Sequence, residues 1–304
     1  MTVSKSVFAD GVAFIEGDYV PLSEARIPIL DRGFVRSDAT YDVVHVWKGM
    51  FFRLDDHVER FFQSADGLRL SPTFTQEQVK EILERCVALS GLQSSFVEMI
   101  CTRGIPAHGS RDPRECVNRF YAFAAPFVWI ANEQQREEGL QMIISDVQRI
   151  PPTSIDPRIK NFHWLDLTMG TFQAYDQQAT VPVLVDGGTN VTEGPGFNVF
   201  SIIKGCVVTP AHGVFEGMTR RSVIELAKLL NLKVEVRTIS VDEFQNSDEI
   251  FITSTAGGVM PVSSLNGIPV GSGEPGPISR TLEREYWKRK EAGWHTKAID
   301  YNAV

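Results

Sequence analysis

Two residues of this chain, Lys160 and Glu193, could together support a demanding piece of chemistry. Lys160 follows the proline-rich stretch RIPPTSIDPRIK, read as an extended approach, and precedes NFHWLDLTMGTFQAYDQQ, which reads as a helix. An amine at such an apolar junction can lose its charge through desolvation and attack an aldehyde. Glu193, in TEGPGFNVF, offers a carboxylate able to hold a pyridine nitrogen protonated. A ring joined to a lysine at one end and tuned by a carboxylate at the other is that of pyridoxal 5'-phosphate. Any one lysine taken alone reads first as a solvated surface charge, so the pair carries the argument.

That cofactor has a dianionic phosphate, and three segments could cradle it. In GMTRRSVIELAK, Gly217 and Thr219 stand directly before a helix, where unpaired N–H groups and the positive end of the macrodipole point outward. Thr219 also reads as an ordinary N-cap. The turn STAGGV follows the strand EIFIT and brings Ser254 and Thr255. Arg60, in RLDDHVERF, could pair with phosphate through two nitrogens, or form a surface pair with Asp56 one helical turn away. Walker A, GxGxxG and GxSxG sequences are absent.

The elements that must position these groups intermix strands and helices without regular alternation, which indicates two α+β domains rather than a doubly wound sheet. GVAFIEGDYVP suggests a hairpin turning at Gly17-Asp18, and residues 53–70 have helical spacing. Thr75 with Gln78 forms a capping-box pattern before a helix closed by Gly91. SSFVEMICTRG and NRFYAFAAPFVWI read as strands. The polar run 131–139 is the expected linker between a first domain, residues 1–130, and a second, residues 140–304. The second contains strands LQMIISDVQRI, VPVLVDGG, FNVFSIIKGCVVTP, KVEVRTIS and EIFITS. Its helices are those after Lys160, from Thr219 to Leu230, after Ser240, and from Pro277 to Ala292. Lys288, Arg289 and Lys290 read as the wet face of that last helix.

With 304 residues, 43% of them hydrophobic, the chain can bury two cores and form a cleft. A net charge of -8 disfavours nucleic acid and anionic membrane as partners, leaving small molecules. The N-terminus shows no cationic segment followed by an apolar core, and no apolar run approaches ~18 residues, so the expected location is cytoplasmic. Four cysteines without a CxxC pair suggest free thiols, and six scattered histidines make a metal site improbable.

The ordered set Arg60, Lys160, TEGPGFNV, GMTRRSV and STAGG resembles the fold type IV pyridoxal phosphate enzymes. Within them, EARIPILDRGFVRSDATYDVVHVWKGMFFRLDDHVERF, IDPRIKNFHWLDL and GEPGPIS closely resemble the (R)-selective amine transaminases, over a span from about Phe8 to Trp287. The resemblance implies a small N-terminal α/β domain, a larger C-terminal pseudo-barrel domain and a homodimer whose sites are bordered by the partner chain. It implies that Lys160 links to the cofactor and shuttles the substrate proton, and that Glu193 faces the pyridine nitrogen. By the same resemblance, Arg60, Met218, Thr219, Ser254 and Thr255 hold the phosphate, while Arg36, Tyr41, Phe96 and Glu98 fall at substrate positions. An arginine that engages the keto-acid carboxylate in those enzymes is here replaced by Gly109, beside His108. Arg111, Arg114 or Arg36 are the substitutes within reach. The implied reaction is ping-pong transfer from an (R)-amine or D-like donor to a keto acid. The alternatives are D-amino acid or branched-chain aminotransferase, aminodeoxychorismate-type lyase, or a non-enzymatic cofactor-binding protein.

Overall fold

The computed structural model describes residues 7–302, so residues 1–6 of the segment read as lacking a leader lie outside it. The chain divides into two compact α+β units. The first runs through Val128 and also takes in Ile159–Phe162 and the segment from Gly293; the second comprises Trp129–Arg158 and His163–Ala292. The segment from Gly293 thus departs from the expected division, because its strand Thr296–Ala298 pairs with Met50–Phe52 in the first unit. Residues 131–139, read as linker, contain the helix Glu133–Glu138, started by a capping box between Asn132 and Gln135.

The first unit is built on a seven-stranded sheet with Ala39–Trp47, Ser95–Pro106 and Cys116–Pro126 at its centre. One sheet face buries Val44, Val46, Val97, Met99, Ala122 and Ala124 against two helices. The helix Gln76–Ser90 has the expected capping box at Thr75 and closes on Gly91 in the left-handed region. The helix Leu54–Gly67 carries two buried stripes. Leu54, Val58, Phe61 and Ala65 recur at helical spacing and enter the core, while His57, Arg60 and Ser64 form a polar stripe beside them. The edge hairpin Val12–Ile15/Asp18–Pro21 turns through Glu16-Gly17, one residue earlier than expected, because both adopt the positive φ that such a tight turn requires.

The second unit is built on a ten-stranded mixed sheet, with Phe197–Ile203, Glu249–Ser254 and Gly258–Leu265 adjacent at its centre. One face buries Val199, Ile252 and Met260; Phe200 and Phe251 stack on the other at 4.8 Å. The helix Pro277–Glu291 is anchored by buried Glu249, whose two carboxylate oxygens accept from Ile278 N–H at 3.0 Å and Ser279 N–H at 2.8 Å. A Cβ on Gly276 would collide with that carboxylate, so glycine is required at the helix N-cap. Lys290 is not on the wet face: Ser279, Leu282, Tyr286 and Lys290 recur on the buried side of this helix. Its ammonium lies 4.9 Å from the Trp287 ring centroid, and burial pushes its pKa well down. Among the described residues no helix is long and apolar enough to cross a membrane.

Candidate active site

Two polar clusters contain most of the chemistry-bearing residues, one in each unit. In the first, the four residues Ile159–Phe162 join the unit by local pairing: Thr40 bridges Asn161, Thr40 Oγ1 donates to Lys160 O at 2.6 Å, and Lys160 N–H donates to Ser64 Oγ at 3.2 Å. The prolines ahead of them produce turns rather than the extended approach expected. Lys160 Nζ rests 4.1 Å from the Tyr41 ring centroid, and that ring meets Phe162 at 5.0 Å.

Asp42, fully buried on the strand Ala39–Trp47, faces the polar stripe of the neighbouring helix. Arg60 grips it with two nitrogens, Nε to Oδ2 and Nη2 to Oδ1, both at 2.8 Å, and His57 Nδ1 lies 2.7 Å from Oδ1. Burial alone would raise the Asp42 pKa, yet Arg60 and His57 hold it well below the usual carboxylate range. Burial lowers the His57 pKa against the pull of Asp42. Arg60 is therefore bound to Asp42, and Asp56 pairs instead with Arg53 at 2.8 Å.

On the opposite sheet face, cross-strand partners point the same way and form three rows: Tyr41, Ile100 and Tyr121; Val43, Glu98 and Phe123; His45, Phe96 and Ala125. Burial raises the Glu98 pKa to about 7, although Lys160 lowers it. The structure thus gathers Lys160, Tyr41, Glu98 and Phe96 around one sheet. Arg36 and Arg111 lie on exposed segments outside this set, and Arg114 is tied to Asp112 by an exposed ion pair.

In the second unit, Glu193, Asn198 and Thr253 form one row across three strands. Glu193 Oε2 accepts from Phe215 N–H at 2.7 Å, Asn198 Nδ2 donates to Phe215 O at 2.7 Å, and Gly217 lies against the Asn198 amide. These contacts aim the start of the helix Met218–Leu229 at the row containing Glu193. Its N-cap is Gly217, not Thr219, and no side chain caps it. Ser254 Oγ donates to Gly196 O at 2.8 Å and accepts from Ala256 N–H, so its proton braces the turn that also carries Thr255.

Arg149 joins two carboxylates that the sequence reading did not connect. Its Nε donates to Glu193 Oε1 at 3.1 Å and its Nη1 to Asp166 Oδ2 at 2.6 Å. Burial lowers the Arg149 pKa, but Glu193 and Asp166 together raise it above its ordinary value. Asp166 also accepts from Ile150 N–H at 2.9 Å. The available signal was an arginine at the end of an apolar strand and an aspartate in a helical first turn, both charges with no obvious solvent role.

Residues 39–265 match the family described as Amino-transferase class IV. The chain belongs to the class IV aminotransferases. It is similar to a putative branched-chain-amino-acid aminotransferase of Methanocaldococcus jannaschii, 26% identical over 94% of this chain and 99% of the other. It is also similar to a D-alanine aminotransferase of Bacillus licheniformis, 29% identical over 88% and 93%. A solved T.th. branched-chain amino acid aminotransferase with pyridoxamine 5'-phosphate superposes with a TM-score of 0.89 at 26% identity, covering 96% of this chain and 99% of that one. This class IV enzyme is a pyridoxal phosphate-dependent aminotransferase with the two-domain fold type IV architecture. The residues fit that cofactor. An uncapped helix start suits its phosphate, and a buried carboxylate held by two donors suits a ring N–H. Thr253 Oγ1, in the same row as Glu193, is buried without a hydrogen-bond partner.

Proposed function

We propose that this enzyme moves an amino group from an (R)-amine or D-configured donor to a keto acid such as pyruvate by a ping-pong mechanism. One observation carries the reading. The three cross-strand rows beside Lys160 are aromatic and aliphatic apart from His45 and the carboxyl of Glu98; none of their residues is a lysine or arginine, and the arginine of the next row, Arg119, is bonded to Tyr121. A donor with a bare aromatic or alkyl substituent suits such a face, and the carboxylate of the keto acid is met from outside these rows, by Arg36 or Arg111.

When bound, pyridoxal phosphate supplies an aldehyde that captures amines and a ring that accepts the electrons left at the substrate carbon. In this reading Lys160 Nζ is the amine that links to the cofactor, then takes and returns the proton at substrate Cα. The Tyr41 ring, 4.1 Å from Nζ, holds the amine in place. Glu193 keeps the ring nitrogen protonated. Met218 and Thr219, through the helix start, and Arg60, fixed by Asp42, hold the phosphate together with the turn at Ser254 and Thr255. Arg36, Tyr41, Phe96, Glu98 and Arg111 remain the proposed substrate contacts.

A second reading, D-amino acid or branched-chain aminotransferase, is favoured by the similarity to the branched-chain and D-alanine aminotransferases above. Turnover of (R)-1-phenylethylamine, D-alanine and L-leucine with pyruvate or 2-oxoglutarate decides between them. Preference for L-leucine would replace the first reading with the second, and preference for D-alanine over (R)-1-phenylethylamine would narrow the donor to D-amino acids. Pyruvate release without any keto-acid acceptor would point to a lyase instead. We further infer a homodimer, because Leu165, Met169, Phe172 and Tyr175 form an exposed apolar stripe along one helix. Light scattering over a dilution series tests it, and a fully active monomer would refute it.

A further inference from the structure

The Asp166–Arg149–Glu193 chain raises a question that the role of Glu193 alone does not answer. An arginine bonded to a carboxylate makes that carboxylate a poorer proton acceptor, and the Arg149 and Glu193 side chains are only 13% and 6% exposed, so the effect is weakly screened. Left as a pair, Arg149 and Glu193 would cancel. A cationic ring N–H would then face a neutral unit. Asp166 stands at the far end of the same guanidinium, 9% exposed, and restores the missing charge. Arg220 is a second cation acting on Glu193, and Glu216 opposes it in turn. Glu216 also acts on Arg158, which is itself paired with Asp156; counting all seven groups, three arginines face four carboxylates, and one negative charge is left over.

We propose that Asp166 is a positioning residue which, acting through Arg149, keeps the surroundings of Glu193 at one net negative charge, so that this carboxylate bonds a cationic ring nitrogen instead of being neutralised by the arginine. The inference rests on the reading that Glu193 faces the ring nitrogen. The local structure supports a charge role for Asp166 over a purely architectural one. Its backbone contacts, Ile150 N–H at 2.9 Å and Leu167 N–H at 2.8 Å, need only carboxyl-type oxygens, which an amide partly supplies. Only the bond to Arg149 uses the charge.

The test is the ring-nitrogen resonance of holoenzyme prepared with pyridoxal phosphate labelled with 15N in the ring, followed against pH, alongside the cofactor dissociation constant. Asp166→Asn is expected to lower the apparent pKa of the ring nitrogen by roughly one unit, a tenfold fall in proton affinity, and to weaken cofactor binding. Asp166→Glu, which keeps the charge, should stay near the parent protein. Arg149→Gln, which removes the cation, should leave the ring at least as firmly protonated; this variant decides the matter if Asp166→Asn does not fold. A ring pKa unchanged in Asp166→Asn but lowered in Glu193→Gln would overturn the proposal and leave the Glu193 assignment standing. An unchanged pKa in Glu193→Gln would remove the assignment itself. If Asp166→Glu shifts as far as Asp166→Asn, geometry rather than charge is responsible, and the proposal fails. A lowered ring pKa in Arg149→Gln would also contradict it.

Discussion

Both units set an arginine against carboxylate in a dry environment, and they close the arrangement differently. In the first, Arg60 grips Asp42 with two nitrogens, and His57, its pKa lowered by burial, completes a closed cluster of matched charge. In the second, Arg149 is shared between Asp166 and Glu193, so the chain is open and ends on a carboxylate. A closed pair suits holding a strand and a helix in register, because removing one partner strands a buried charge. An open chain suits binding, because its terminal group still has charge to offer.

The sharpest way to break this comparison is to remove the amine that the closed cluster accompanies. Lys160→Ala is expected to lower the transamination rate by at least about 10³-fold, since both the covalent link and the proton carrier go. Stopped-flow half-reactions would measure it, and phosphate and ring contacts should keep some cofactor bound without a covalent bond. At the open end, Glu193→Gln should cost about 3 to 4 kcal/mol of transition-state stabilisation, a few hundred-fold in rate, with the cofactor still bound. A half-reaction at the parent rate would remove Glu193 from the mechanism.

The closed cluster should register in stability instead. Asp42→Asn leaves Arg60 without its counter-charge and weakens the contact to His57, and should cost about 3 to 5 kcal/mol in urea unfolding. The sign with pH follows from both shifts. Asp42 is depressed in the fold, so its contribution is complete above the unfolded carboxylate pKa and is lost as pH falls toward the folded value. His57 is also depressed, so the unfolded chain takes up its proton first and stability declines as pH falls below about 6.5. Asp42→Asn should flatten the more acidic part of this profile. The smallest effect is expected at Glu98, whose pKa is raised to about 7. The fold binds this proton more tightly than the unfolded chain, so stability is lost as pH rises from the ordinary glutamate range through about 7. Glu98→Gln should gain roughly 1 to 3 kcal/mol relative to the parent at pH 8, discounted for partial exposure, and little at pH 4. Equal offsets at both pH values would show that Glu98 does not titrate in this way.

Local features were the legible ones. The Thr75–Gln78 box, the Gly91 stop and the Ser240–Glu243 cap are each decided within four residues, and the structure has all three. The helix expected from Thr219 begins at Met218, because Gly217 takes the cap. Contacts between distant segments were not legible: Asp42 with Arg60, Glu249 with the helix start after Gly276, and the return of Thr296–Ala298 to the first sheet. Each depends on register across a sheet, which periodicity alone does not fix. Lys290 shows the limit of a basic run as a surface signal, since three successive cations on a helix cannot all face water when one falls on the buried stripe.

Lys290 also supplies the rival in the most direct test. It is the lysine whose pKa is pushed well down by burial, whereas Lys160 is singled out by its sequence setting and by the Tyr41 ring beneath its amine. Borohydride reduction of the holoenzyme, followed by peptide mapping, fixes the cofactor to whichever lysine holds it. The pyridoxyl mass is expected on the peptide containing Lys160 and on no other; its appearance on Lys290, or on any lysine but Lys160, would contradict the account.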